Sequence, residues 1–370
     1  MKKYFFIAAA ALVTLAACTK TQIVDTPQRE ISFQVANSLQ TKATGSVYDN
    51  GAFGTYAWFN NTDDFMVNEQ VNKSGSVWKT VDHTFYWPKT GSISFISYSP
   101  FAGTSDTAGS VPTVTKNSIT YTGITAGTTD LMYADRATCN ANVNEVTDSD
   151  TADSGFSGVP TVFRHALAKL SFDIKANFLK YDDAANGSHT EWVVTVKSIK
   201  IGGFKTIGDC ALTLNADGKS WDKPVTTVGT DNFNVWTNLS GATANQELLP
   251  SGDMVLTTTP QTLNAATGFV MPQVLEDAAQ TLTMSFHIKT TLSNGKTIEE
   301  DIVDKVVNLK DISTLKAWQM NENIHYTINI KPTASDASNP HNDDPEDVII
   351  TFDPAVADWT NVDASATIQL

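Results

Sequence analysis

The positions of cysteine, histidine and carboxylate residues decide which chemistries are open to this chain of 370 residues. Its cysteines are Cys18, Cys139 and Cys210. Cys18 follows Lys2 and Lys3, an apolar run from Tyr4 to Val13, and the tripeptide Leu15-Ala16-Ala17. That order is a secretory leader closed by a lipobox, so residues 1–17 are expected to be removed and Cys18 to become an acylated first residue. Several acyl chains, at about 0.8 kcal/mol per buried CH₂, would hold such a protein on a membrane, whereas the apolar run is too short to span one. Cys139 and Cys210 allow at most one disulfide, which an exported location permits, and leave too few thiols for a multi-cysteine metal cluster. Their spacing does not say whether the two meet.

The patterns G-x-S-x-G, P-loop, G-x-G-x-x-G and H-E-x-x-H are absent. Histidines stand at 83, 165, 189, 287, 325 and 341, with no pair at metal-ligand spacing. Asp148, Asp150 and Asp153 superficially resemble a calcium loop, because a hard cation takes carboxylate oxygens, but no bidentate Glu follows in EF-hand register. A solvated loop is the plainer reading there, and for Asp343-Asp344-Pro345-Glu346-Asp347. No metal, cofactor or catalytic residue is therefore expected. Trp58-Phe59, Trp78 and Phe85-Tyr86-Trp87 could stack on sugar rings if exposed and coplanar; in alternating strands such residues are more often core. The formal net charge of −15 becomes two units more negative when Lys2 and Lys3 leave, which disfavours nucleic acid and anionic headgroups as partners.

The elements that must position these residues read as strands. Ile31-Ser-Phe33-Gln-Val35, Leu170-Ser-Phe172-Asp-Ile174 and Leu282, Met284, Phe286 and Ile288 each place apolar side chains on one face. Ser293-Asn294-Gly295-Lys296 offers a hairpin turn, with the return strand beginning near Thr297. Turn clusters separate such runs from Ile31 onward, the pattern of an antiparallel β-sandwich. Two polar stretches interrupt it, 140–158 and 332–347. The first precedes Val159–His165, where the domain boundary is placed: an N-terminal domain over 18–160 and a C-terminal domain over 161–370. The second reads as a surface loop, because strand-like sequence resumes at Val348-Ile-Ile-Thr-Phe352.

Several segments together resemble the fimbrillin family, lipoprotein subunits of type V pili in Gram-negative bacteria. They are Phe85-Tyr-Trp-Pro88, Ile93-Ser-Phe-Ile-Ser-Tyr-Ser-Pro100, Asp130-Leu-Met-Tyr-Ala134, Phe163-Arg-His165-Ala-Leu-Ala-Lys-Leu170, Asn323-Ile-His-Tyr326 and Ala357-Asp-Trp359. None is diagnostic alone; their order behind the lipobox covers nearly the whole chain. The resemblance implies an all-β protein of two transthyretin-like antiparallel β-sandwich domains, with His165 a buried, hydrogen-bonded structural residue.

The resemblance also implies a non-enzymatic fimbrial subunit, structural, accessory or tip, that passes through the outer membrane as a lipoprotein and assembles on the cell surface by donor-strand exchange. Its partners would be other fimbrial subunits and a trypsin-like maturation protease, besides the outer membrane reached through the lipid. The displaced strand would be Ile31, Phe33 and Val35. Cleavage would fall between Lys42 and Ala43, in a polar stretch of the kind proteases prefer; Lys in place of the family's frequent Arg puts a strictly Arg-specific protease in doubt. Arg29 is a second basic residue, but cutting there leaves the strand in place. The donor would lie within 356–370, where Ala364, Ala366, Ile368 and Leu370 share an apolar face. The alternative is a surface lipoprotein that binds glycan or a host protein without polymerising, for which Trp58, Trp78 or Trp87 would have to be exposed.

Overall fold

The computed structural model describes residues 30–37, 48, 51–75, 77–88, 90–102, 111–140, 158–183, 187–264, 268–276, 279–312, 315–332, 348–356 and 366–367. Cys18, Arg29, Lys42, Ala43, Asp148 to Asp153, Asp343 to Asp347, Trp359, Ala364, Ile368 and Leu370 lie outside them. Among the described residues almost every regular element is a strand, the exception being one turn of helix at Leu309–Ile312.

The N-terminal half supplies β1 (Phe33–Asn37), β2 (Phe53–Phe59), β3 (Asp63–Ser74), β4 (Val77–Thr80), β5 (Ser92–Ser99), β6 (Ser118–Thr125), β7 (Met132–Ala134), β8 (Ala137–Asn140) and β9 (Val159–His165). All but β6 form one eight-stranded sheet in the order β2-β3-β4-β1-β9-β7-β5-β8, and pairing of β2 with β5 closes it into a barrel. Closure hides the strand edges that an open sheet would present. Inward-pointing residues of alternating strands fill the interior: Phe33, Phe53, Ala57, Met66, Val71, Ile93, Phe95, Val159 and Phe163. The expected domain boundary after Pro160 falls inside β9, whose whole length pairs within this sheet.

The C-terminal half supplies β10 (Ala168–Ala176), β11 (Ser188–Gly202), β12 (Ile207–Leu214), β13 (Thr281–Leu292), β14 (Thr297–Asn308), β15 (Asn323–Pro332), β16 (Val348–Val356) and the two-residue β17 (Ala366–Thr367). One sheet runs β10-β15-β16-β17, with β10 and β15 parallel; a second runs β11-β13-β14. Their facing sides share one core, built from Leu170, Phe172 and Ile174, from Leu282, Met284, Phe286 and Ile288, and from Ile324, Tyr326, Ile328 and Ile330. This is the alternation read from the sequence. In β11 the inward residues shift phase, from Val194 and Val196 to Ile199 and Ile201, because a bulge between Val196 and Ser198 adds a residue to the strand. The β13–β14 hairpin turns through Ser293 to Gly295, with Gly295 at φ 76°, a left-handed geometry that glycine adopts without strain.

A third core joins the halves. β6 pairs antiparallel with β12 across 118–125 and 207–213, and Trp58, Ile96, Tyr121, Tyr133, Leu212, Trp221 and Trp236 pack between them. Both tryptophans from the C-terminal half donate hydrogen bonds across this core: Trp221 Nε1 to the Ala134 carbonyl of the N-terminal half at 2.9 Å and Trp236 Nε1 to the Ala166 carbonyl, in the link between β9 and β10, at 2.8 Å. Arg136 crosses in the opposite sense, its Nη1 donating to the Gly218 carbonyl at 3.3 Å. Beside it Arg164 grips Asp135 through two parallel bonds of 2.8 and 2.7 Å, the bidentate geometry that makes such pairs strong.

Candidate functional site

Among the described residues the titratable groups are paired off individually and do not converge on one site. Each described histidine faces a carboxylate: His83 faces Glu69, His165 Asp130, His189 Asp182, His287 Asp301 and His325 Asp173. The pairs are scattered over different strands. His165 is mostly buried and hydrogen-bonded to Asp130 at 3.0 Å, the structural place that the resemblance implied.

Cys139 and Cys210 are free thiols, so the disulfide weighed from sequence is not formed. The reason is their placement in different cores, Cys139 on β8 inside the barrel and Cys210 on β12 between the halves. Burial pushes the Cys139 thiol up to about 12 and raises Cys210 as well, which withholds the reactive thiolate. A thiol reagent at mildly alkaline pH is expected to label neither cysteine in folded protein lacking Cys18, and both in urea.

The aromatic platform is also corrected. Trp58 and Trp87 are buried, and Trp78 packs edge-on against Tyr48 and tilted against Phe53, at 5.3 and 5.7 Å between ring centroids. Trp87 and, partly buried, Trp78 pack in the barrel core, whereas Trp58 points out of the barrel into the core between the halves.

The seat of β1 is the distinctive site. Ile31 and Phe33 are 1% and 2% exposed, and Val35 packs partly buried against the same core. Phe33 presents its ring edge-to-face to Phe53 and Phe95, at centroid separations of 5.6 and 5.7 Å. Burying Ile31 and Phe33 is worth about 1.5–3 kcal/mol each, and each ring pair adds about 0.5–1.5 kcal/mol.

The two flanks of β1 differ. Against β9 it forms a parallel ladder from Phe33↔Val159 to Asn37↔Phe163, whereas against β4 it makes a single bridge, Phe33↔Trp78. Upstream, the Ile31 N–H donates to the Phe85 carbonyl at 2.9 Å, and Lys79 pairs with Glu30 at 2.5 Å. That ion pair is over a third exposed, so it adds little. The Phe85-Tyr-Trp-Pro88 segment thus forms part of the seat, a role its sequence did not announce.

Gly158 brings β9 close enough for the Val159 N–H to reach the Ser32 carbonyl at 2.8 Å. A Cβ there would stand 2.6 Å from the Ser32 carbonyl oxygen and 3.2 Å from the Phe33 carbonyl carbon, both backbone atoms. Gly158→Ala is therefore expected to cost about 1–3 kcal/mol through overpacking. Hydrogen exchange checks this: the amides of β1 should speed up while those of β13 stay as they were.

The C-terminal strand ends on its own domain. β16 pairs with β15, and Ala366 and Thr367 pair with Phe352 and Thr351 of β16 at the sheet edge.

A family model described as fimbrillin-like matches residues 41–359. The chain belongs to the fimbrillin-like family. Among curated proteins none matches. Among solved structures, a fimbrial protein from Bacteroides vulgatus is similar over 90% of this chain and 100% of that one, at 16% identity and TM-score 0.51, a likeness of fold. A candidate cell adhesion protein from Bacteroides uniformis matches over 90% and 98%, at 18% identity and TM-score 0.43. The fimbrial anchor protein Mfa2 from Porphyromonas gingivalis matches over 91% and 99%, at 9% identity and TM-score 0.28. As a fimbrillin the protein is not an enzyme, and its place is among outer-membrane and cell-surface fimbrial proteins. Among the described residues no group of three or more His, Cys, Asp or Glu is placed to hold a metal ion.

Proposed function

We propose that this fimbrillin is a structural, accessory or tip subunit of surface fimbriae, exported as a lipoprotein through Cys18 and assembled by exchange of β1 for a strand of another subunit. One observation carries the proposal: β1 and the residues leading into it hold the barrel with the fully buried side chains of Ile31 and Phe33, yet Lys42 follows in the stretch 38–52 before β2 begins. Cleavage between Lys42 and Ala43 by a trypsin-like protease would leave β1 held by non-covalent contacts alone. Its departure would open the barrel between β4 and β9, exposing Phe53, Phe95 and Phe163 and the unpaired backbone of β9. Strand addition relieves that condition. In this reading the barrel and the C-terminal sandwich are the two transthyretin-like domains of such a subunit, the second taking over after β9. The segment 356–370, with Ala364, Ala366, Ile368 and Leu370, is the strand offered to a neighbour, and release of Ala366 and Thr367 from β16 would precede donation.

The test is mass spectrometry of the protein in material sheared from cells and in membranes. Chains beginning at Ala43 within high-mass polymers support processing and exchange. Lipidated Cys18 as the sole N-terminus, with no polymer, would overturn the proposal.

A further inference from the structure

We propose that the seat vacated by β1 is filled by a strand from a different protein, one carrying an aromatic residue at the Phe33 position, and not by the C-terminal segment of a second copy of this chain. The inference rests on the strand-exchange reading above and names the partner that reading leaves open. Phe33 is 2% exposed, and its ring fills the space between Phe53 and Phe95, touching both edge-to-face. A replacement strand presents every second side chain to the interior, whichever direction it runs. If the apolar face of the tail turned inward, the residue at the Phe33 position would be Val362, Ala364, Ala366, Ile368 or Leu370. None carries a ring. The opposite phase would offer Ser365, Thr367 or Gln369, polar groups with no partner in an aromatic pocket, or the one ring of the segment, Trp359, which in either strand direction puts Asn361 at the Ile31 or Val35 position. The tail of a second copy would thus either leave Phe53 and Phe95 facing a gap, with their contacts on that side forfeited, or set an amide among apolar side chains.

A second observation agrees. Ala366 and Thr367 already pair with β16 of their own sheet, so donation of the tail gives up an existing pairing. The fitting occupant is an extended strand with an aromatic residue between aliphatic ones, matching the sequence Ile31-Ser-Phe33-Gln-Val35 that it replaces. A subunit whose own tail does not fit its own seat belongs at junctions between unlike subunits.

The exported full-length chain, given limited trypsin treatment, would be tested for self-association by light scattering and for peptide binding by fluorescence anisotropy. The probes are a β1 peptide (30–37), the native tail (356–370), and tails bearing A366F, I368F or L370F. The treated chain is expected to remain monomeric, the β1 peptide to rebind, and at least one Phe-bearing tail to bind about tenfold or more tighter than the native tail. A native tail that binds as tightly as the β1 peptide, or homopolymers of the treated chain, would overturn the inference and leave strand exchange standing. So would three Phe-bearing tails no better than the native one. Failure of the β1 peptide to bind would remove strand exchange itself, and the inference with it.

Discussion

Phe33→Ala is expected to destabilise the protein by about 3–5 kcal/mol, the range for removing a fully buried aromatic ring. Three properties put the loss in this range. The side chain is 2% exposed, so its whole transfer energy is at stake. Its ring meets Phe53 and Phe95 edge-to-face, and both contacts disappear. The barrel also collapses poorly around the void, because the neighbouring strands are fixed by their own ladders, β2 to β5 and β9 to β7. Denaturant unfolding with an unchanged m-value would read the loss directly. Val67→Ala, at an exposed position of β3 in the same sheet, serves as the control and should stay within about 0.5 kcal/mol. A loss under about 1 kcal/mol for Phe33→Ala would mean that β1 does not fasten the barrel, and the argument for its exchange would lose its physical basis. The C-terminal sandwich has a separate core, so its hydrogen-exchange protection is expected to survive the substitution.

The inward face of β1 was legible because alternation is a local property: Ile31, Phe33 and Val35 needed no neighbour to be recognised as one side of a strand. The same holds for Leu282 to Ile288 on β13 and Leu170 to Ile174 on β10. What alternation cannot specify is which strand lies alongside. The parallel pairing of β1 with β9, separated by more than a hundred residues, follows from closure of the barrel, and nothing in either strand encodes it alone. Hence a boundary placed after Pro160, beside the polar stretch, falls within β9, which pairs in the first sheet. The phase shift in β11 was hidden for a related reason, since a bulge inverts the face of every residue after it and leaves no compositional mark. Aromatic residues were ambiguous in the sequence because a sugar platform and a packed core use the same rings; exposure alone separates them, and Trp87 and the partly buried Trp78 went to the barrel core while Trp58 went to the core between the halves. The contributions of Gly158 and the Phe85 carbonyl depend on backbone proximity, which no side-chain pattern reports.

Trp236→Ala should cost about 3–5 kcal/mol as well, but its consequence lies between the halves. The indole is 1% exposed and stacks on Tyr121 of β6 with ring centroids 6.0 Å apart. Its Nε1–H satisfies the Ala166 carbonyl in the short link between β9 and β10. Losing the ring opens a cavity in the middle core and leaves that carbonyl unpaired, a further cost of about 1–3 kcal/mol for a buried acceptor unless water enters. Trp236→Phe separates the contributions, since it keeps much of the packing and loses the hydrogen bond, and a smaller loss of about 1–3 kcal/mol is expected. The middle core joins a barrel and a sandwich that each have a core of their own, so weakening it should split one cooperative transition into two. Calorimetry of Trp236→Ala would show a single unbroken transition if the seam merely adds stability. Two resolved transitions would show that Trp236, with the pairing of β6 and β12, couples the half that houses the β1 seat to the half that carries the C-terminal strand.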